Sequence, residues 1–373
     1  MPRYLVINGP HLDRLGTREP EIYGSTTLAE LERDLTEFAA RLSIEVSVFQ
    51  SNLEGEVLEA VTGAEATFDG IVLNPGALTH YSRTLGDAVA AISTPVVEVH
   101  ISNILEREQW RRRSVIEGVT RIYGRGIHGY QWALRHLLNR AAAPVERLAY
   151  GALPDQVGDL RIVEGASRLV ALLHGGLWRH EWTADTTESL AVDLWQRGVA
   201  TFNLEYRRLG LGGGFPESFD DVTVALRKIP ELTGFSAEQV VLLGHSAGAT
   251  MALWADHPGL TIALAPFCDL LSARAEGLAG DTFRRLLPDP LPDPSEYSPA
   301  HRLPRPGPTV VIASPFDRLV PIDPIRAYAD SATRRQTVVE VLESDGGHFD
   351  MLEPSSNSWG LVIDVLGARK APV

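Results

Sequence analysis

Cysteine, lysine and long apolar runs are what this 373-residue sequence has least of. Cys268 is the only cysteine, so no intrachain disulfide can form and nothing points to an oxidising compartment. Lys228 and Lys370 are the only lysines, which excludes Schiff-base catalysis from the first 227 residues. No stretch reaches the roughly 18 consecutive apolar residues of a membrane span. The opening MPRYLVING has neither the apolar core nor the cleavage pattern of a signal peptide. No membrane association is expected, and a cytoplasmic location is. Positive charge is short too. Lys and Arg number 34 against 48 Asp and Glu, giving a net charge of −14 and a pI near 5.3. That argues against nucleic acid as a partner, because phosphate binding needs a basic face. A small anionic substrate needs only a local arginine and stays open. The 11 histidines show no H-E-x-x-H or Cys/His spacing, so no metal is expected.

What is present is an alternation of short apolar runs and amphipathic helical segments, twice over. The first series runs from YLVING through IEVSVFQ, GIVLNPG, PVVEVHIS and VTRIYG to a closing helix, YQWALRHLLNRAA. Such runs, separated by helices, predict a parallel sheet covered on both faces, here a flavodoxin-like doubly wound domain over residues 1–141. AAAPVERLAYGALP reads as a linker, residues 142–154 in the domain scheme. A second series then starts, with candidate strands in DLRIVEG, RLVALLHGG, VATFNLEY, QVVLLGHSAG, TIALAP, PTVVIAS and TVVEVLES. It predicts a second α/β domain over 155–373. A Pro-rich stretch with some helical content separates Asp269 from Pro308. The hexapeptide GRGIHG at 124–129 fits G-x-G-x-x-G, but it follows the last strand of its domain. It reads as the turn into a helix, and no nucleotide or other cofactor is expected.

LLGHSAGATM is the strongest local signal. Gly244, Ser246 and Gly248 form G-x-S-x-G directly after a strand and before a helix. That pattern holds a serine on a sharp turn at the sheet edge. Upstream, LLHGGLW offers Gly175 and Gly176 as backbone donors for an oxyanion, with the Ala247 N–H as a second donor. Downstream, Asp317 follows a strand in SPFDRLVP and His348 follows the last strand in GGHF. Asp323 and Asp345 compete for the role of the acid; the strand-end position favours Asp317. Serine, acid, histidine is the chain order of the α/β-hydrolases. HGGLW, EYRRLG, GHSAG, SPFDRLVP and GGHF together resemble the α/β-hydrolases near kynurenine formamidase. The resemblance implies hydrolysis of an ester, amide or aryl formamide through an acyl-enzyme. Ser246 is then the nucleophile, His348 the base and acid, and Asp317 its orienting group. Trp178 is expected on the acyl side.

In the first series, polar residues gather where parallel strands end. INGPHLDRLGTREPEIYG carries His11, Arg14, Arg18 and Tyr23; NPGALTHYS carries Asn74 and His80; EVHISN carries Glu98, His100 and Ser102; REQWRRRS carries Arg107, Arg111 and Arg112. A doubly wound sheet builds its site at such ends. These motifs resemble type II 3-dehydroquinate dehydratase across residues 3–141. The resemblance implies a trimer-based homo-oligomer, possibly a dodecamer. It also implies conversion of 3-dehydroquinate to 3-dehydroshikimate by anti elimination, without metal or cofactor. Tyr23 is then the base. A free phenol titrates near ~10, so a guanidinium, expected from Arg18, is needed to favour the phenolate. His100 is the acid, with Glu98 orienting it. Asn74, His80, Asp87, Ser102 and Arg111 are expected to hold substrate. Two positions depart from the family: His11 stands where an Asn that helps stabilise the enolate is usual, and Gly86 where Arg is common. They motivate an alternative in which only the hydrolase is active and the first domain is a silent oligomerisation scaffold.

Overall fold

The computed structural model describes residues 1–291 and 293–367. The chain divides into two compact units, one spanning Met1–Ala141 and one beginning at Ala142. No described helix is long and apolar enough to cross a membrane.

The first unit is a five-stranded parallel sheet in the order β2-β1-β3-β4-β5. Its strands are β1 (Arg3–Asn8), β2 (Glu45–Gln50), β3 (Gly70–Asn74), β4 (Val96–His100) and β5 (Thr120–Tyr123). Side chains of β1 alternate between two cores, as a strand's period of two requires. Tyr4 and Val6 pack with Leu31, Leu35 and Phe38 of helix Leu28–Leu42 and with Leu134 and Leu137 of helix His128–Ala142. Leu5 and Ile7 pack on the other face, with Val57 and Val61 of helix Glu54–Gly63 and Leu85 and Val89 of helix Arg83–Ala91. A capping box starts helix Leu28–Leu42: the Thr27 hydroxyl accepts from Glu30 N while the Glu30 carboxylate accepts from Thr27 N. Helix Arg83–Ala91 continues through Gly86. There the helix passes so close to the Val115 carbonyl that a Cβ would lie 2.9 Å from its oxygen. The chain leaves β1 toward β2 on one side and β3 on the other. This opens a crevice beyond the paired ends Asn8 and Asn74.

The second unit is an eight-stranded sheet in the order β13-β12-β11-β10-β8-β9-β7-β6. Its strands are β6 (Glu146–Ala149), β7 (Val157–Arg161), β8 (Leu169–Leu173), β9 (Ala200–Leu204), β10 (Val240–His245), β11 (Thr261–Leu264), β12 (Thr309–Ala313) and β13 (Val339–Glu343). β7 runs antiparallel to both β6 and β9, and the remaining pairs are parallel. The stretch expected to be a linker therefore contains an edge strand. β6 escapes a reading by apolar runs because its residues ERLA lie at the open edge and are mostly exposed. Every residue of β8 and β10 is buried, which places these two apolar strands at the centre. Short helices, Leu270–Ala275, Thr282–Leu286 and Pro294–Tyr297, fill the Pro-rich stretch between β11 and β12.

The turn from β10 into helix Ala247–Trp254 is possible only with glycine on both sides of Ser246. A Cβ on Gly244 would lie 2.3 Å from the Gly248 carbonyl oxygen, and one on Gly248 would lie 2.1 Å from that of Leu173. Gly248→Ala is expected to destabilise the second unit by about 1–3 kcal/mol through overpacking. In contrast, Gly360→Ala places a Cβ in open space on helix Asn357–Leu366. It is expected to stabilise by up to about 1 kcal/mol. Urea midpoints of the two variants, moving in opposite directions, check this.

Candidate active sites

In the first unit the loops after β1, β3 and β4 enclose a cavity of about 220 Å³. His11, Arg18, Tyr23, Asn74, His80, His100, Ser102 and Arg111 all line it, as does Arg107. Tyr23 closes the one-turn helix Pro20–Tyr23. Arg107 Nη1 donates to its phenol oxygen at 3.2 Å. The guanidinium carbons of Arg18 and Arg107 lie 5.5 and 5.7 Å from the Tyr23 ring centre. Arg18 Nε itself donates to Glu19 at 3.1 Å. The cation on the phenol oxygen is thus Arg107, to which the sequence reading gave no role, while Arg18 lies over the ring.

Glu98, on β4, is completely buried. His100 Nε2 meets its Oε1 at 2.7 Å, and the Thr79 hydroxyl donates to the same oxygen. Ser114 and Arg121 Nε donate to Oε2 at 3.1 and 2.7 Å. Burial opposes ionisation, but the His100 hydrogen bond and charge, Arg121 and Thr79 outweigh it and hold the carboxyl down at about 2. A carboxylate only accepts, so His100 donates through Nε2, and its Nδ1 is the nitrogen left for the cavity.

A buried chain sets the orientation of Asn74. Asn74 Nδ2 donates to Tyr130 Oη at 2.8 Å, and that hydroxyl donates to Asn8 Oδ1 at 2.6 Å. Gly76 N donates to Asn74 Oδ1 at 3.2 Å, which fixes which end of the amide is which. His80 Nδ1 lies 2.8 Å from the Arg113 carbonyl, so that nitrogen carries the proton. Burial lowers the His80 pKa, against the opposing pull of that hydrogen bond. His11 sits in the left-handed region at φ 69°, its backbone N donating to Asn52 Oδ1 at 2.7 Å. Asp87 is not brought to this cavity. It is exposed on helix Arg83–Ala91 and lines a separate surface groove with Arg83, Arg113 and Glu117.

The second unit has a cavity of about 200 Å³, lined among others by Gly175, Gly176, Ser246 and His348. Ser246 stands at φ 53°, ψ −116°, between β10 and its helix, with Ala247 the first helical residue. A non-glycine residue held at this angle is strained, and the glycines beside it let the turn close. His348 Nδ1 donates to Asp317 Oδ2 at 2.6 Å. Asp317 Oδ1 accepts from Leu319 N and Val320 N at 2.8 and 3.0 Å. Burial raises the Asp317 pKa, yet His348 and these two N–H groups bring it below the usual carboxylate value. Asp323 pairs with Arg326 and Asp345 accepts from Asn357, so of the three candidate carboxylates Asp317 is the one that meets His348.

The loop carrying Gly175 and Gly176 is braced from below. His174 Nε2 lies 2.9 Å from Glu205 Oε1, and the His174 ring stacks on Tyr206 at 4.2 Å. Glu205 also takes Arg208 Nη1 at 2.7 Å and Ala184 N at 3.1 Å. Burial disfavours its charge, but Arg208 and His174 hold the carboxyl at about 2. The run EYRR, immediately after apolar β9, was the available signal for this brace. Trp178 does not line the cavity. It is fully buried against Phe219 and Phe283, at 6.0 and 6.2 Å between ring centres. Leu177 and Trp178 both have φ near +55°, which turns the chain so that the indole enters the core. Trp182 and Phe349 line the cavity instead, 6.3 Å apart.

Comparison with known proteins assigns the two halves separately. Residues 2–138 match the family model for class II dehydroquinase, and residues 162–260 match the model described as BD-FAE. The 3-dehydroquinate dehydratase of Anoxybacillus flavithermus is 54% identical over 141 residues, 37% of this chain and 95% of that protein. The 3-dehydroquinate dehydratase of Bacillus subtilis is 51% identical over 142 residues, covering 38% and 96%. The esterase LipW from Mycobacterium marinum, a solved structure, matches with TM-score 0.51 and 20% identity, over 64% of this chain and 85% of that one. A truncated carbohydrate esterase from gut microbiota gives TM-score 0.51 at 14% identity, over 59% and 94%. At these identities the two esterases establish a shared fold. Its second domain matches the BD-FAE model over residues 162–260 and shares the fold of the two esterases, and through residues 2–138 the chain belongs to the class II dehydroquinase family.

Proposed function

We propose that this chain is a bifunctional enzyme. Its first domain dehydrates 3-dehydroquinate to 3-dehydroshikimate, and its second hydrolyses an ester, amide or aryl formamide through Ser246. The observation that carries the first assignment is the Tyr23 phenol oxygen on the Arg107 guanidinium, in one cavity with His100. Elimination next to a ketone needs a base, a place for enolate charge and an acid for the leaving hydroxyl. Tyr23, as phenolate, takes the α-proton. The electron pair passes to the carbonyl oxygen as an enolate, which the N–H of Asn74 not used by Tyr130 is free to meet. The enolate then re-forms the ketone as the C–O bond breaks. His100 delivers a proton from Nδ1 to the departing hydroxyl, which leaves as water. Glu98 holds His100 through Nε2 and so leaves Nδ1 turned to the cavity. Arg111, His80 and Ser102 supply donors for the substrate's carboxylate and hydroxyls.

In the second domain, Ser246 Oγ attacks the scissile carbonyl while His348 Nε2 takes its proton. Asp317 holds the opposite nitrogen. Backbone N–H groups of the Gly175–Gly176 loop and of Ala247 receive the oxyanion. His348 returns the proton to the leaving group, and water then repeats the sequence on the acyl-enzyme. The silent-scaffold alternative is the weaker one, because the Tyr23, Arg107, Glu98 and His100 arrangement is complete. At position 11, the backbone occupies a region that Asn and His both enter more readily than most residues.

Tyr23→Phe is expected to lower kcat for 3-dehydroquinate by about 10³-fold; a rate within threefold of the parent, followed by enone absorbance, would exclude Tyr23 as the base. Arg107→Leu should slow the same reaction about 100-fold, more than Arg18→Leu does. Ser246→Ala is expected to reduce p-nitrophenyl acetate turnover by at least about 10⁴-fold and to leave dehydration unchanged. A screen of aryl esters and aryl formamides with the intact chain then sorts the substrate.

A further inference from the structure

His245, the last residue of β10, is one of two buried histidines of the hydrolase cavity, and the mechanism above does not use it. Its Nε2 lies 3.0 Å from the main-chain carbonyl oxygen of His348. A carbonyl only accepts, so Nε2 carries the hydrogen. Burial, with the neighbouring His348 adding to it, lowers the ring's pKa to about 3. The imidazole is therefore neutral at working pH and carries a single N–H, already given to His348. Nδ1 is left as a bare acceptor, buried and without a hydrogen-bond partner. It lies against the oxyanion loop: a Cβ on Gly175 would be 2.7 Å from it and 3.1 Å from Ser246 Cβ. The ring is thus wedged between the loop that receives the oxyanion and the loop that carries the base, with its centre 4.7 Å from that of His348.

Two separate restraints act on His348. Asp317 fixes the rotation of its ring. Nothing in that bond fixes the main chain, which reaches His348 from β13 through Gly346 and Gly347. The contact from His245 does. The donor is the residue immediately before Ser246, so the hydrogen bond ties the His348 main chain to the nucleophile's neighbour across 103 positions of sequence. We propose that His245 is a positioning residue of the hydrolase. Its Nε2–H ties the His348 main chain to the strand end that carries Ser246 and so sets the distance over which the proton is transferred. This rests on the assignment of Ser246, His348 and Asp317 as the reacting set.

The test compares His245→Gln, whose amide N–H reaches toward the same carbonyl, with His245→Leu and His245→Met, which have no donor. All are made in the full-length chain. The readouts are kcat and KM with p-nitrophenyl acetate, labelling of Ser246 by a fluorophosphonate, the urea midpoint, and 3-dehydroquinate dehydration as an internal control. Loss of the tie should lower kcat and the labelling rate about 30-fold in the Leu and Met variants, since small misplacements cost up to about 100-fold. KM should change less than threefold, and His245→Gln should recover to within fivefold of the parent. A donor-free variant with parental kcat and an unshifted midpoint overturns the proposal. So does a Gln variant as impaired as Leu while equally stable. If neither Leu nor Met folds, a folded Gln variant decides by itself: recovery supports the tie and a 30-fold loss overturns it. Failure of the underlying assignment looks different: Ser246→Ala would keep its esterase activity and the parent chain would not be labelled at Ser246.

Discussion

Each half of the chain keeps a buried glutamate beneath its site, and the geometry above that carboxylate follows from what is needed to keep it charged. A buried carboxylate loses several kcal/mol of hydration unless donors replace the water. Glu98 gathers donors from four places: His100 on its own strand, Thr79 after β3, Ser114 in the following loop and Arg121 on β5. Two loops and two strands are thereby fixed relative to one another, and the proposed acid is held by its bond to Glu98. Glu205 does the same work in the second sheet, drawing in His174, Arg208 and the backbone N–H of Ala184. Both carboxyls are held at about 2, so neither charge is lost at any pH where the protein would act.

The two sites differ in what they place on that base. The first uses side chains from separate loops, and the proposed base, Tyr23, lines the cavity with the guanidinium carbons of Arg18 and Arg107 5.5 and 5.7 Å from its ring centre. The second uses main chain. Its proposed nucleophile, Ser246, is held at a left-handed φ of 53°, and the loop proposed to receive the oxyanion passes through three consecutive positive-φ residues, Gly176, Leu177 and Trp178. Such angles cost of order 1–3 kcal/mol each for non-glycine residues. They persist because packing leaves no other path: the Trp178 indole is locked among Phe219 and Phe283, and the Gly175 loop passes against His245 and Ser246. The strain at the second site is thus carried by the core; the first site has positive-φ residues of its own, His11 and Glu19, but positions His100 chiefly through the buried charge of Glu98.

What was legible in the sequence follows the same division. Central strands are apolar runs, so both sheets could be read, and the Gly–x–Ser–x–Gly turn and the Asp317–His348 partnership follow from chain order. β6 could not be read, because an exposed edge strand needs no apolar face. Arg107 stood in a quoted motif, but only the fold of the loop between β4 and β5 decides that its guanidinium, and not that of Arg18, meets the phenol oxygen. Trp178 was placed beside the substrate because it adjoins the glycines. The backbone angles that send it into the core are not written in the residue types. Asp87 was expected at the site from family likeness, and within one chain helix Arg83–Ala91 turns it to a separate groove.

His11 is where these two kinds of constraint meet. Position 11 ends the tight turn after β1, where a Cβ on Gly9 would lie 2.6 Å from the Pro75 carbonyl oxygen. Position 11 itself stands at φ 69°, a region entered mainly by Asn, Asp and His apart from glycine. The backbone therefore restricts the residue to a short list of polar types, and Asn52 anchors it through the main chain whichever side chain is present. Asn and His both meet this restriction, so the choice between them alters the reach and the donor offered to the cavity rather than the backbone of the turn. The lyase domain can thus depart from its family at a cavity-lining position while the Tyr23, Arg107 and Glu98–His100 geometry stays in place.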